Sequence, residues 1–312
     1  IIGTGGYVSA PILFAYGMLS KIGLSRARVF LYEPNAHPGL LNQVVGRLAQ
    51  RIGVAFEQAG RWFDMKRVAV VGYPVRRSFL DLEQESSREK LGVPQGQKVV
   101  LAFGGSGGAR VINEAVIAAL PVWRDAGNLT ILHVTGRYSG PDYDAIADTQ
   151  AALAEIGMSD EEGWYRRFDY ADRIDEMIAA ADLVICRGGA GTLTELGVSG
   201  TPALIVPLPS AAEDHQAINA REIERLGAGL VVYQEAIWKN ARIYSHLHGA
   251  NLAHQVIELC ADDQRLDAMG QAARSIPRPD SLEFDRSILR PKLTKNDFFF
   301  KNRDPKSSQK CS

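Results

Sequence analysis

The sequence predicts an α/β protein of two domains, each built on a largely parallel sheet. Three observations lead there: short apolar runs recur, helically spaced segments separate them, and glycine-rich turns follow directly behind several of the runs. The runs at 27–32, 68–71, 99–103, 130–134, 183–186, 203–206 and 230–233 are too short for helices and read as buried strands. Segments 109–123, 143–156, 174–180, 193–199 and 216–226 carry helical spacing. Strand and helix therefore alternate, and crossover helices between strands imply parallel sheets covered on both faces.

In chain order, Ile1 and Ile2 run straight into Gly3, Thr4, Gly5 and Gly6, like the last residues of a strand whose domain begins upstream. Residues 1–72 are expected to be the remnant of a first domain lacking its front. Such a domain places its first strand centrally, so the flank of the strand ending at Ile2 is expected to be bare. Residues 73–97 are polar, contain Pro74 and Pro94, and read as the interdomain link. Residues 98–262 form the second domain, and 263–280 a C-terminal helix. Residues 281–312, with the adjacent Phe298, Phe299 and Phe300, show no amphipathic period and read as a disordered or aberrant tail.

The 312 residues are 46% hydrophobic and 23% charged, enough apolar content for two cores. A formal net charge of -1 argues against a nucleic-acid partner, because neutralising many phosphates takes a basic excess. Cys186, Cys260 and Cys311 form no CxxC pair, which speaks against a disulfide framework or a zinc site and fits a reducing cytoplasm. No apolar run reaches the roughly 20 residues of a membrane span. Phe14, Tyr16, Met18 and Leu19, with Lys21 and Arg26, fit an apolar and basic surface or a helix buried against its sheet; burial is expected for most of them.

Three glycine turns carry the chemistry: Gly5, Gly6, Tyr7, Val8, Ser9; then Gly104, Gly105, Ser106, Gly107, Gly108; then Gly188, Gly189, Ala190, Gly191, Thr192. Glycine lets the backbone bend sharply and approach a ligand, and free N–H groups at the following helix start favour an anion such as a diphosphate. A single turn of this kind serves geometry alone at least as often. Two in one domain shift the balance toward a nucleotide diphosphate. No acid ends the strand after the second turn, where Thr135, Gly136 and Arg137 stand, so a nicotinamide dehydrogenase is disfavoured. Glu195, three residues past Thr192, is placed either to accept ribose hydroxyls or to complement the first turn of a helix. Glu213 and Asp214, ahead of His215 and Gln216, are placed either as helix caps or at the carboxyl end of a strand where open sheets bind ligands.

The segments GGYVSAP, YEPNAHPG, VVGYPVR, LAFGGSGGARVINEAV, ADLVICRGGAGTLTELGVSGTPALIVPLP and EDHQAINA occur in an order that resembles the MurG family of N-acetylglucosaminyltransferases, from Ile1 to about Pro279. The resemblance implies two Rossmann-like domains of the GT-B glycosyltransferase type, the first incomplete, with UDP-N-acetylglucosamine between them and no cofactor or metal. It places Ser106 and its loop (Gly104, Gly105, Gly107, Gly108) on the diphosphate, with Gly189, Ala190, Gly191 and Thr192 as a second phosphate loop. The backbone of Ala171 would read uracil, Glu195 the ribose, and His215 and Gln216 the sugar, Gln216 being the firmer because the family often has glutamine where His215 stands. Asn35 and Arg76 would reach the donor from the first domain. An arginine at the domain junction also suits the charge that develops on departing UDP.

Gly5, Gly6, Tyr7 and Ser9 would belong to the acceptor loop, the acceptor being a lipid-linked muramoyl-pentapeptide at the cytoplasmic face of the bacterial inner membrane. The implied reaction is an inverting displacement and needs a base. The family carries a histidine at a further glycine loop in a stretch before Ile1; His37, in a Pro-Gly turn, is the less suitable candidate, so no base is assigned. Two other readings stay open: a copy that binds UDP-sugar without turnover, and a related transferase with another lipid acceptor.

Overall fold

The computed structural model describes residues 1–6, 9–25, 27–209, 211, 214–239 and 242–276. Tyr7 of the acceptor loop, Arg26, Glu213 and everything from residue 277 onward, including the expected tail, lie outside the described residues.

The first sheet has four parallel strands in the order β1 (Ile2–Gly3), β2 (Phe30–Glu33), β3 (Arg51–Val54) and β4 (Val68–Val70). Helix α1 (Ala10–Lys21) joins β1 to β2, and α2 (Leu40–Val45) joins β2 to β3. Leu31, Ile52 and Val54 point to the helix side and pack with Leu13, Tyr16 and Val45. The alternate residues Phe30 and Tyr32 share a core with Leu193, Ala220 and Ile223 of the second domain, so this sheet gets one of its two faces covered from outside. Strand β3 escapes sequence reading because Arg51 and Gly53 interrupt its apolar pattern.

Helix α1 departs from expectation. It buries Leu13, Tyr16 and Gly17, whereas Phe14, Met18 and Leu19 are 47%, 71% and 42% exposed. Only one stripe of a helix reaches its sheet, and here the remaining apolar residues lie off that stripe. They continue into exposed Ile12, Ile22 and Leu24.

After β4, a 3-10 turn (Arg77–Leu80) and α3 (Gln84–Lys90) pack onto the second domain. Phe79 is buried, and Arg88 donates to the carbonyl of Ala180 and to the Asp182 carboxylate, 2.6 Å away. The second sheet comprises β5 (Lys98–Phe103), β6 (Leu129–Val134), β9 (Tyr165–Phe168), β10 (Leu183–Cys186), β11 (Ala203–Ile205) and β12 (Gly229–Val231). All six strands are parallel, in the order β12-β11-β10-β5-β6-β9. The minor hairpin β7 (Ser139–Gly140) and β8 (Tyr143–Asp144) lies between β6 and β9 in sequence. The helices are α4 (Arg110–Ala126), α5 (Ala147–Glu155), α6 (Ile174–Ala180), α7 (Ala190–Ser199) and α8 (His215–Arg225). A second hairpin, β13 (Glu235–Lys239) with β14 (Arg242–His246), precedes α9 (Gly249–Cys260) and α10 (Asp263–Ala273).

Strand β9 was not legible because Arg166 and Arg167 stand at its centre. Both arginines turn to outside partners, Arg166 to the Leu91 carbonyl and Arg167 to Asp160 at 2.7 Å and to Asp169. The strand order matters most for function. The chain leaves β5 toward β6 and β9, then returns to the other side of β5 as β10. The carboxyl ends of β5 and β10 thus diverge at a switch point, where an open parallel sheet leaves a crevice. The second and third glycine turns emerge from those two ends.

Candidate nucleotide-sugar site

At this crevice a cavity of about 200 Å³ is lined by Phe103, Gly105, Ser106, Val134, Tyr170, Ala171, Ile174, Thr192 and Glu195. Four separate sequence segments converge there, including Ser106, Ala171, Thr192 and Glu195 of the expected site.

The loop after β5 is shaped by contacts that leave no room for side chains. A Cβ on Gly104 would meet the amide nitrogen of Ala109 at 2.3 Å, and one on Gly108 the Thr135 carbonyl oxygen at 1.8 Å. Gly105 and Gly108 both have positive φ, 93° and 82°. Gly105 and Gly107, in contrast, face open space. The loop therefore presents bare backbone toward solvent, as close approach to an anion requires. In the third turn Gly189 caps α7, and Gly191 lies against the Tyr73 ring, to which a Cβ would come within 3.3 Å. Tyr73 thereby lays the start of the 73–97 segment on the helix end that faces the crevice.

Helix α7 starts at Ala190, which puts Glu195 beyond its first turn. The helix-complementing role for Glu195 therefore falls away: its side chain lines the cavity instead. Burial pushes its carboxyl above the ordinary value, the Arg76 guanidinium pulls it back, and Asp175 adds to the rise. The Arg76 charge is thus felt at Glu195 from the domain junction, its guanidinium 5.3 Å over the Phe79 ring.

Of the other expected residues, Asn35, Arg76, His215, Gln216 and the described part of the first glycine turn do not line this cavity. Gln216 accepts the amide N–H of Leu208 with its side-chain oxygen at 3.0 Å and so fixes the turn after β11. Its backbone carbonyl lies against Gly188, where a Cβ would approach to 2.3 Å. Asp214 stands at the cap position of α8 without a side-chain capping bond, and its φ of 55° is the one positive value among the described non-glycine residues. Its side chain therefore does not supply the helix cap that was one of its two expected roles. Asn35 donates and accepts within a turn bound to Glu33 and Asn219. In the first turn Ser9 donates to the carbonyls of Gly5 and Gly6 at 3.3 and 2.9 Å. The His37 ring packs edge-on against Trp62, 4.5 Å between centroids.

Sequence reasoning missed Arg187. Burial lowers its pKa to about 10, and it donates to the carbonyls of Val206 and Pro207 at 3.1 and 3.3 Å, tying the third glycine turn to the turn after β11. Its position between a strand and a glycine turn was the available signal. Glu33 and Asn219 were missed as well, because a strand-end acid and a mid-helix asparagine look unremarkable until the two domains are brought together.

Two Rossmann-like domains, with a cavity at the switch point of the second, define the GT-B fold. Residues 99–281 match the model of the glycosyltransferase family 28 C-terminal domain. The chain is 36% identical over 284 residues to the UDP-N-acetylglucosamine--N-acetylmuramyl-(pentapeptide) pyrophosphoryl-undecaprenol N-acetylglucosamine transferase of Salinibacter ruber, covering 90% of this chain and 68% of the relative. It is 34% identical over 283 residues to the Halothermothrix orenii protein of that name, covering 89% and 70%. Among solved structures, the MurG of Acinetobacter baumannii superposes with a TM-score of 0.65 at 24% identity, covering 93% of this chain and 73% of that one. Anabaena HepE in complex with UDP superposes at 0.54 with 15% identity, covering 90% and 75%. The chain belongs to the MurG family of N-acetylglucosaminyltransferases.

Proposed function

We propose that this chain moves N-acetylglucosamine from UDP-N-acetylglucosamine to undecaprenyl-diphosphoryl-N-acetylmuramoyl-pentapeptide at the cytoplasmic face of the bacterial inner membrane. The observation that carries the reading is the convergence of Ser106, Ala171, Thr192 and Glu195 on one cavity at the sheet's switch point. A uridine diphosphate fits this chemistry. Bare amides of the Gly105 turn and the start of α7 meet the two phosphates, and the Glu195 carboxylate accepts both ribose hydroxyls.

In the displacement, the acceptor's sugar hydroxyl oxygen forms a bond to the anomeric carbon as the bond to the diphosphate oxygen breaks. The electron pair leaves with UDP, the hydroxyl proton passes to a general base, and the anomeric centre inverts. Arg76, whose charge is felt at Glu195, is the cation that would offset the charge gained by the leaving diphosphate. The exposed apolar residues Ile12, Phe14, Met18, Leu19, Ile22 and Leu24 of the first domain support peripheral contact with a membrane carrying the lipid acceptor. Among the described residues no helix is long and apolar enough to cross a membrane.

Titration calorimetry with UDP-N-acetylglucosamine, followed by transfer of labelled sugar to the lipid-linked acceptor, tests the reading. Heat with another UDP-sugar and none with UDP-N-acetylglucosamine would reject the donor assignment. Donor binding with no transfer would reject the turnover and leave a UDP-sugar-binding chain.

A further inference from the structure

Asn219 is fully buried in α8 of the second domain, yet its carboxamide is spent mostly on the first. Its Oδ1 accepts the Ala36 amide N–H at 2.8 Å, while its Nδ2 donates to Asn35 Oδ1 at 3.2 Å and to the Gly188 carbonyl at 3.2 Å. The amide orientation follows from these partners: Ala36 N–H only donates and the Gly188 carbonyl only accepts, so a flipped amide would set like against like at both ends.

The Asn35 turn is itself braced from behind. The buried Glu33 carboxylate accepts from the Asn35 amide at 2.9 Å, from Asn35 Nδ2 at 3.3 Å and from Asn42 Nδ2 at 2.7 Å. Asn42 in turn lies under the first glycine turn, where a Cβ on Gly5 would approach its Nδ2 to 3.1 Å. Hydrogen bonds and contacts thus run from Gly5 through Asn42, Glu33, Asn35 and Asn219 to Gly188, joining the acceptor turn of one domain to the phosphate turn of the other.

We infer that Asn219 is a positioning residue: it docks the Asn35–Ala36 turn onto the Gly188 turn and so presents Asn35 to the sugar of a donor whose nucleotide is held elsewhere. This rests on the nucleotide-sugar reading above. The nucleotide cavity is lined by residues 103–195 alone, so UDP without its sugar does not depend on the clamp.

The test is calorimetry on the full chain with UDP and with UDP-N-acetylglucosamine, for wild type, Asn219→Ala, Asn35→Ala and the double variant. Asn219→Ala removes hydrogen bonds and leaves the buried Ala36 N–H without its acceptor. It is expected to weaken UDP-N-acetylglucosamine about tenfold while UDP stays within about twofold, and adding Asn35→Ala should cost little more. Retained UDP binding also reports that the second domain has folded. Equal weakening of both ligands, no change in either, or full additivity of the two substitutions overturns the clamp. A wild-type chain that takes up neither ligand overturns the nucleotide-sugar reading itself.

Discussion

Gly108 and Gly136 press backbone against backbone: a Cβ on Gly136 would lie 2.2 Å from the amide nitrogen of Gly108 and 2.4 Å from its α-carbon. The turn after β5 and the turn after β6 are thus a single packed unit, and Gly136 also has a φ of 82°.

Gly136→Ala is therefore expected to disturb the phosphate turn from a position outside it. The substitution adds roughly 1–2 kcal/mol of left-handed backbone strain and forces the two turns apart. UDP affinity should fall by at least about tenfold, with the melting temperature lowered by a few degrees. Gly157→Ala is the control for backbone strain alone, since Gly157 has a φ of 68°, lies outside the site, and a Cβ there meets nothing within 4 Å. If calorimetry gave Gly136→Ala wild-type affinity, the rigid coupling of the two turns would be refuted.

Glu195→Ala should weaken UDP by roughly ten- to hundredfold, because charge-assisted hydrogen bonds are worth about 1.5 to 3 kcal/mol each. Affinity for inorganic diphosphate should hardly move, since the ribose is the proposed partner. A variant with unchanged UDP affinity would remove Glu195 from the site. Arg76→Ala makes the converse case: it strips the cation that favours the charged carboxylate, so UDP binding should weaken more at pH 5.5 than at pH 8.

The second sheet was legible almost strand by strand, because strands such as Val99 to Phe103 are continuous apolar runs and the turns behind them are rich in glycine. Ser106 and Glu195 stand in the ordered motifs and Ala171 came from the family resemblance alone; what the structure adds is that all three line one cavity. What stayed hidden were contacts made only in three dimensions. Asn219 reads as an ordinary helix residue, yet its partners lie 183 and 184 positions away in Ala36 and Asn35. Strand β9 hid behind its two arginines, and the hairpin of β13 and β14 behind the exposed pair Trp238 and Ile243, which face each other across the strands. The outward face of α1 was expected to be buried. Composition alone does not distinguish an apolar stripe that meets a sheet from one beside it.

His133 predicts a pH dependence of stability. It is buried in β6, with Nδ1 3.2 Å from the Tyr165 hydroxyl and Nε2 3.1 Å from Asn113 Oδ1. An amide oxygen only accepts, so Nε2 carries the proton and Nδ1 accepts from Tyr165. Burial, with Arg167 adding to it, holds the imidazole down to a pKa of about 3, against 6.5 ordinarily. Above pH 6.5 both folded and unfolded forms are neutral and the group is without effect. Below it the unfolded chain takes up a proton that the folded chain refuses, so stability falls by about 1.4 kcal/mol per pH unit until the folded value is reached. Urea midpoints between pH 7 and 4.5 should drop more steeply for wild type than for His133→Gln. Parallel slopes would show that His133 does not carry the effect.

The two domains should differ in local stability. The first sheet's own helix-side core is the cluster around Leu13, Leu31, Ile52 and Val54, while its other face, with Phe30, Tyr32 and Ala69, packs into a core shared with the second domain. Its edge strand β4 is only partly buried, with Val70 47% exposed. Strands β5 and β6, by contrast, pair over six residues with nearly every side chain buried. Sub-global opening is therefore expected to begin in residues 1–72 and to leave residues 98–260 folded. Hydrogen exchange on the full chain should show amides of β2 and β3 exchanging at least about tenfold faster than those of β5 and β6. Saturating UDP should slow the second set more than the first, because the nucleotide cavity belongs to the second domain. Equal protection of the two sheets in the unliganded chain would mean that the shared face around Phe30 and Tyr32 locks both domains into one cooperative unit.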